Sequence, residues 1–385
     1  MFHLQRIQRR LLAALFIVTI AITLYFYTSC PQEMFVLTAT NIKLSNTSYF
    51  AAITSPSHPY CRQFRQQFPM VSNADADMDI AFTLVVHKDI RQIARLLRMI
   101  YRNNNYYCIH VDRRSSSIFV EALQGIANCF GANVELVPHD ERVAVNWGDE
   151  TVLLPQITCG KKALKNHATW KYLVNLVGQD FPLRTNMELV AALKALNGSN
   201  LVESYPLSQF KSRVKDHVLP LGATWYKGSI YGAYRREFLQ EALMGTAVGA
   251  IRDIMLQPGN IMHPDEFFFS TLAYNSQFRL PGACLHGPAP LPEVNIGYLG
   301  RFVIWGDYGL RCRTKYVRFI CIFGNPHVAM LQSVPHIAAN KFHEDYQPEA
   351  YDEMEKWYFR RIAFEISTGS YNKSSFDPST YANLS

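Results

Sequence analysis

The sequence predicts an α/β fold with a mostly parallel sheet and a loop-rich region after it, because strand-like runs alternate with helical patterns of about ten to fifteen residues. The four strand-like runs cover 81–87, 106–112, 133–138 and 171–180. Ligands of such sheets bind beyond the carboxyl ends of the strands. The polar residues that follow the strands, namely His87–Lys88, Asp112–Arg114 and Gln179–Asp180, are therefore the first candidates for a binding site.

The predicted helices are recognised by apolar residues recurring every three or four positions. The first covers 89–102, with Asp89 as its N-cap candidate, and others follow the second and third strands. Asn186 is predicted to cap a helix over 187–196, and Pro348 to begin one over 348–362. Between these two helices, the segment 205–342 is irregular and rich in Pro and Gly, which is typical of substrate-binding loops.

Composition narrows the class of protein. Of 385 residues, 49% are hydrophobic and 18% charged, which excludes a disordered chain. Lys and Arg number 38 against 31 for Asp and Glu, and this small surplus favours an anionic small ligand over duplex DNA. The absence of GxGxxG, GxxxxGK[ST] and GxSxG motifs argues against dinucleotide oxidoreductases, P-loop enzymes and hydrolases with a serine elbow.

The N-terminus predicts a single membrane span. Residues 11–28 carry no charge, three arginines precede them, and no Lys or Arg follows before Lys43. By the positive-inside rule the body is lumenal. The alternative, a cleaved signal peptide, is disfavoured because the apolar run is long and lacks a small-x-small cleavage site. The predicted organisation is a cytosolic tail (1–10), a signal-anchor (11–28), a stem (29–79), a folded body (80–366) and a loose tail (367–385).

Two further features fit a lumenal body. The sequence contains N-glycosylation sequons at Asn46, Asn197, Asn372 and Asn383. The eight Cys show no CxxC pair and no Cys/His metal spacing, so disulfides are expected and a metal site is not. Cys30 borders the predicted span and is the cysteine expected to remain outside the disulfides.

Three segments carry groups suited to chemistry, each with a plainer alternative. Residues 112–114 (DRR) suit a nucleotide's ribose and phosphates, or form a solvated turn. In HPDEFFF (263–269), either Asp265 or Glu266 suits a general base, or both are acids at the start of a helix. DADMD (75–79) resembles a metal-binding DxD motif, but it precedes the first strand and is predicted to be a solvated linker.

The chain resembles the core-2/I-branching β-1,6-N-acetylglucosaminyltransferases in a set of segments that occur in that family's order. These are LVVHKDIRQIARLLRMIY (84–101), YYCIHVDRRS (106–115), WKYLVNLVGQDFPLRTN (170–186), KGSIYGAYRREFL (227–239), HPDEFFF (263–269), VRFICIFG (317–324) and ANKF (339–342). The wider superfamily includes peptide O-xylosyltransferases, which are similar at WG (147–148) and the DFPLRTN turn.

The resemblance implies a type II Golgi membrane enzyme whose body is a catalytic domain with a GT-A-like, Rossmann-type sheet that binds a nucleotide sugar. Such an enzyme transfers GlcNAc from UDP-GlcNAc to a glycan or glycoprotein, with inversion and without a metal. Glu266 matches the family's catalytic base. Arg318 and Lys341 match the basic pair that holds the diphosphate, and no nucleic-acid partner is expected.

Further positions follow from the same resemblance. The donor contacts are matched by Val86, His87, Lys88, Asp112, Arg113 and Arg114. Trp305 matches an aromatic residue near the acceptor, whereas Glu203 is offset by one position from the family's acidic contact and Lys211 is a loose match for a basic one. The implied disulfides are Cys61–Cys129, Cys108–Cys159 and Cys312–Cys321, and Cys284 has no counterpart.

Two other functions stay open on the sequence alone. One is a protein O-xylosyltransferase that uses UDP-xylose. The other is an inactive, membrane-anchored relative that binds glycans. The joint presence of Glu266, Arg318 and Lys341 argues against it, because a protein without activity does not need to retain all three residues.

Overall fold

A computed structural model describes residues 46–69, 78–206, 210–215, 217–283, 297–306 and 309–382. The predicted cytosolic tail and span, Cys30, Cys284, Asn383 and residues 75–77 of the acidic segment lie outside these ranges. Within the described ranges, no helix combines the length and the apolar character that a membrane span requires.

The strands are short and spread along the chain. They are β1 (Ile80–Val86), β2 (Tyr106–Val111), β3 (Val134–Leu136), β4 (Tyr172–Val177), β5 (Asp180–Pro182), β6 (Leu201–Val202), β7 (Tyr205–Pro206), β8 (Tyr226–Lys227), β9 (Gly232–Arg235), β10 (Lys315–Val317), β11 (Ile320–Ile322) and β12 (Ala338–Asn340).

The α-helices lie between and after these strands. They are α1 (Thr47–Ala51), α2 (Pro59–Arg65), α3 (Ile90–Ile100), α4 (Ser117–Asn128), α5 (Leu154–Asn166), α6 (Asn186–Ala195), α7 (Arg236–Met244), α8 (Gly249–Leu256), α9 (Phe268–Tyr274), α10 (Val328–Ser333) and α11 (Pro348–Thr368).

The central sheet has six strands in the order β3-β2-β1-β4-β9-β6. The first four are parallel, and β9 runs antiparallel to both β4 and β6. Both faces of β1 are covered: Thr83 donates to Gln156 of α5 at 2.6 Å, while Phe82 stacks on Tyr107 at 5.3 Å between ring centroids. The prediction of an α/β fold with a mostly parallel sheet is confirmed, and this architecture fits a GT-A-like fold.

Two predicted helix starts differ in detail. Thr185, not Asn186, is the N-cap of α6, because its hydroxyl accepts from the Glu188 amide while the Glu188 carboxylate accepts from the Thr185 amide. Asp89 does stand at the N-cap of α3, but in a left-handed conformation and without a side-chain capping bond. Its carboxylate instead lies 3.3 Å from Lys88 Nζ.

Residues 46–69 belong to the folded body, so the prediction that the stem extends over them is wrong. Phe50, Phe64 and Phe68 are buried, and the Cys61–Cys129 disulfide joins α2 to the end of α4. Helix α1 lies so close to α4 that a Cβ on Gly125 would be 1.9 Å from the carbonyl oxygen of Phe50. The other two implied pairs, Cys108–Cys159 and Cys312–Cys321, are also present.

The C-terminal segment is packed as well, and the prediction of a loose tail is wrong up to residue 382. Helix α11 extends to Thr368 and ends at Gly369, whose φ of 71° suits glycine. Beyond it, Phe376 and Tyr381 are buried, and the Tyr381 hydroxyl donates to the carbonyl of Pro335 at 2.5 Å. Aromatic residues among the many Ser and Asn anchor this segment.

Glu365 of α11 is a buried acid whose ionisation opposes folding. Its carboxylate accepts a hydrogen bond from Thr185 Oγ1. Burial, reinforced by Glu188 and opposed by the Thr185 hydrogen bond, raises the pKa of Glu365 to about 7 from 4.5. The folded state therefore holds this proton more tightly than the unfolded state, and stability is lost as pH rises from 4.5 to about 7.

We expect Glu365→Gln to stabilise the protein above neutral pH, because Gln keeps the shape and the hydrogen-bond acceptor but cannot ionise. In thermal unfolding followed by circular dichroism, its melting temperature should exceed that of the wild type by at least about 2 °C at pH 8 and match it at pH 5. Equal melting temperatures at pH 8 would show that the carboxylate is ionised without penalty.

Candidate active site

The carboxyl ends of β1 and β2 bring two predicted segments together. The Asp112 amide donates to the Val86 carbonyl at 3.0 Å, so residues 86–88 and 112–114 are adjacent. The pKa of His87 responds to charges from both segments. Burial lowers this pKa, Lys88 and Arg318 lower it further, and the carboxylates of Asp89 and Asp112 raise it. Arg318, which is remote in sequence, is thus near enough to His87 to contribute to the lowering of its pKa.

Asp112 organises the loop that faces this edge. Its carboxylate accepts from the Arg114 amide at 2.8 Å, from the Arg114 guanidinium and from the Val145 amide at 3.0 Å. Burial raises the pKa of Asp112, but these hydrogen bonds outweigh burial and leave the pKa below its usual value. Arg114 is thus engaged with Asp112, whereas the Arg113 side chain is exposed.

Two cations, Lys88 and Arg318, are close enough to Lys341 to affect its pKa. Lys341 is largely buried, and its pKa is lowered first by burial and then by Arg318 and Lys88. Among the ion pairs of the described residues, none involves Arg318 or Lys341, while Lys88 pairs with Asp89. This surplus of positive charge suits a multiply charged anion such as a diphosphate.

Lys341 is held by its neighbours in the chain. The Phe342 amide donates to the Gln179 carbonyl at 3.0 Å, and the Phe323 amide donates to the Lys341 carbonyl at 3.0 Å. Gln92 of α3, which is completely buried, donates from Nε2 to the Phe342 carbonyl and accepts from the Glu344 amide, each at 3.1 Å. The backbone from the Lys341 carbonyl to Glu344 is therefore fixed before any ligand binds.

Arg318 sits in the two-residue turn of the β10–β11 hairpin. Both turn residues have positive φ, 52° at Arg318 and 61° at Phe319. The Cys312–Cys321 disulfide joins the segment before β10 to β11 and so closes the hairpin. The tip of the hairpin is bound by the Gly306 amide, which donates to the Phe319 carbonyl at 2.7 Å. Trp305, which is half-buried, forms an isolated bridge with Ile320. The structure thus brings the predicted acceptor residue Trp305 beside the hairpin that carries Arg318.

Glu266 lies at the end of a 3₁₀ turn (Pro264–Glu266) and is bound by two cations. Its Oε2 is 2.5 Å from Arg213 Nη1 and 3.2 Å from Lys227 Nζ, and about a quarter of its side chain (26%) is exposed. The carboxylate is therefore held in a defined orientation and remains accessible, as a general base requires. Sequence reasoning gave no role to Arg213 or Lys227, although Lys227 begins one of the family-like segments.

Asp265, the neighbour of Glu266, is in a different environment. It is buried, and its Oδ1 has no hydrogen-bond partner in the described part of the chain. Burial, followed by the charge of Glu266, raises the pKa of Asp265 to about 7. Asp265 precedes α9 as predicted, and burial favours the neutral form of its carboxyl group.

The predicted acceptor residues divide between two places. Glu203 is buried beside Glu266: a Cβ on Gly228 would lie 2.0 Å from the Glu203 carbonyl oxygen, and the Gly228 amide donates to the Glu266 carbonyl at 2.7 Å. Lys211 is exposed, and Arg213, two residues later, is the basic residue that reaches Glu266. Trp305 lies at the β10–β11 hairpin instead.

The structure also describes Trp147, Asp79 and three of the four sequon residues. Trp147 is 79% exposed, and its ring meets the edge of the His263 ring at 4.5 Å between centroids. Asp79, the described end of the acidic segment, accepts from Asn104 at 2.8 Å. The described sequon residues Asn46, Asn197 and Asn372 are all exposed, and Asn46 Oδ1 caps α1.

Comparison with known proteins gives one consistent result. The family model of the core-2/I-branching enzymes matches residues 80–331. A Danio rerio protein named beta-1,3-galactosyl-O-glycosyl-glycoprotein beta-1,6-N-acetylglucosaminyltransferase 4 is 30% identical over 326 residues, 77% of this chain and 74% of the relative. A Homo sapiens protein of the same name without the number is 30% identical over 326 residues, 76% of this chain and 72% of the relative. The Mus musculus protein with the same name and the number 4 is 31% identical over 336 residues, which are 77% of this chain and 69% of the relative.

Proposed function

The chain belongs to the core-2/I-branching enzyme family and is a glycosyltransferase, and from this premise we propose that it transfers GlcNAc from UDP-GlcNAc to form a β-1,6 branch on an O-glycan. The observation that carries the proposal is Glu266, an accessible carboxylate held by Arg213 and Lys227. The names of the relatives favour GlcNAc over xylose as the donor sugar.

The donor diphosphate binds to Arg318 and Lys341 in this proposal, with Lys88 beside them. Two fixed cations can neutralise a departing diphosphate as a divalent ion does, so transfer needs no metal. The lowering of the Lys341 pKa, by burial and then by Arg318 and Lys88, supports this role, because an anion that enters the cluster offsets the repulsion that Lys341 experiences from the other two cations. The uridine and ribose lie against Val86, His87 and the Asp112–Arg114 loop.

The reaction proceeds by one displacement with inversion at the anomeric carbon. The acceptor hydroxyl oxygen forms a bond to that carbon while the bond from the carbon to the diphosphate oxygen breaks. Glu266 takes the hydroxyl proton, and UDP departs with the bonding electron pair. Arg213 and Lys227 hold the Glu266 carboxylate in position until the acceptor arrives, and Glu203, Lys211 and Trp305 contribute to acceptor binding.

We also propose the cellular setting that the N-terminus indicates, a single-pass type II protein of the Golgi membrane with a lumenal catalytic domain. The exposed sequons at Asn46, Asn197 and Asn372 are then open to N-glycosylation, as is Asn383. We expect the full chain made in animal cells to lose mass on endoglycosidase treatment. A full-length chain that the enzyme leaves unchanged would contradict a lumenal body.

Glu266→Gln tests the proposed mechanism, because it keeps the shape and the hydrogen bonds of Glu266 but removes its basicity. In a transfer assay with UDP-GlcNAc and a synthetic β-1,3-galactosyl O-glycan, turnover should fall by at least about a hundredfold. Affinity for UDP should change little, since the diphosphate is bound by Arg318 and Lys341.

Asp265→Asn is the matched control. Because burial favours the neutral form of Asp265 and Asn imitates that form, turnover should stay within about threefold of wild type. Near-normal turnover of Glu266→Gln beside an inactive Asp265→Asn would assign the base to Asp265. Near-normal turnover of both variants would refute the carboxylate mechanism.

A further inference from the structure

Phe319 is a large apolar side chain that the fold leaves in solvent. It follows Arg318 in the turn between β10 and β11, and 70% of its surface is exposed. Its φ is 61°, in the left-handed region that glycine and asparagine adopt readily and bulky residues rarely do. Exposure of the ring and the unfavourable backbone conformation both oppose stability, so packing does not account for a phenylalanine at this position.

The ring has a defined position despite its exposure. The Gly306 amide donates to the Phe319 carbonyl at 2.7 Å, and a Cβ built on Gly306 would lie 3.6 Å from Phe319 Cδ1. Trp305 precedes Gly306 and bridges Ile320, which follows Phe319. Trp305 is thus opposite Ile320 and Gly306 is opposite Phe319, so the Phe319 ring lies beside Gly306, which has no side chain to cover it. The residue before Phe319 is Arg318, which belongs to the cation cluster.

We propose that the exposed ring of Phe319 is a surface on which a sugar ring of the acceptor stacks. The C–H face of a pyranose is apolar and flat, and an aromatic ring buries it while leaving the hydroxyl groups free to bind elsewhere. The position beside Arg318 puts this surface next to the donor diphosphate, where the acceptor has to enter. The inference rests on the proposed transfer function and adds a specificity-determining residue to it.

The test compares three variants of the full chain in the transfer assay with UDP-GlcNAc and a synthetic β-1,3-galactosyl O-glycan. Phe319→Asn removes the ring but suits the left-handed turn, and Phe319→Tyr keeps the ring. Phe364→Ala is the control, because Phe364 is also exposed, at 41%, but lies in α11. We expect Phe319→Asn to raise the acceptor KM roughly three- to tenfold with little change in kcat, and Phe319→Tyr and Phe364→Ala to match the wild type.

Two further readouts separate a binding role from a structural one. The melting temperature of Phe319→Asn should equal or exceed that of the wild type, because Asn adopts the left-handed conformation of this turn more readily than Phe does. The acceptor KM should rise in the same variant. The affinity for UDP should be unchanged. An unchanged acceptor KM in Phe319→Asn overturns the inference, as does a lower affinity for UDP, which would place the ring against the uracil. Wild-type protein that transfers no GlcNAc refutes the proposed function itself, and the inference with it.

Discussion

The carboxylate of Asp180 is the point at which the parallel sheet is joined to the segment that carries Lys341. Asp180 is completely buried, and its Oδ2 lies 2.8 Å from Arg301 Nη1 and accepts from the Val177 amide at 2.7 Å. Its Oδ1 accepts from Asn340 Nδ2 at 2.8 Å. Loss of one partner of such a pair leaves an uncompensated buried charge, which costs about 3–5 kcal/mol. The end of β4, Arg301 and β12 are thus bound into one unit, and Lys341 follows directly on β12.

A second set of buried bonds holds the same segment from the other side. Gln92 binds the backbone on either side of His343, and Arg91 and Arg95 pair with Glu344. All three come from α3, the helix that begins just after Lys88. Two of the three cations therefore lie on elements that are tied to each other, and the third, Arg318, is on a hairpin closed by a disulfide. Cations that repel one another are kept together by these connections, which makes the site ready for an anion.

The sequence predicted those parts of the protein that repeat a local pattern. Strands β1 to β4 and helices α3 and α11 were recognisable because apolar residues recur with a fixed period, and the polar residues that follow β1 and β2 mark the site. Arg318 and Lys341 were identified only through a family resemblance, since each lies in a turn or loop with no periodicity, and the same resemblance selected Glu266 over its neighbour Asp265.

Tertiary contacts explain what the sequence did not predict. Arg213 and Lys227 contact Glu266 from irregular segments that are distant in sequence, and no spacing of residues in the chain predicts these contacts. Asp180 follows a strand of the parallel sheet, where ligand-binding acids are expected. Its carboxylate is instead buried against Arg301, so its role is to connect parts of the fold. The folding of residues 46–69 onto α4 depends on a disulfide partner and on Gly125, neither of which is visible in the composition of that segment.

The central claim is that fixed cations replace a metal in the transfer of GlcNAc. The most direct measurement is the rate of transfer to a β-1,3-galactosyl O-glycan in EDTA, with UDP-GlcNAc and UDP-xylose as alternative donors. We expect a β-1,6-linked GlcNAc product at a rate that added Mn²⁺ does not change, and little transfer of xylose. Transfer that EDTA abolishes and Mn²⁺ restores, or a preference for UDP-xylose, would contradict the central claim.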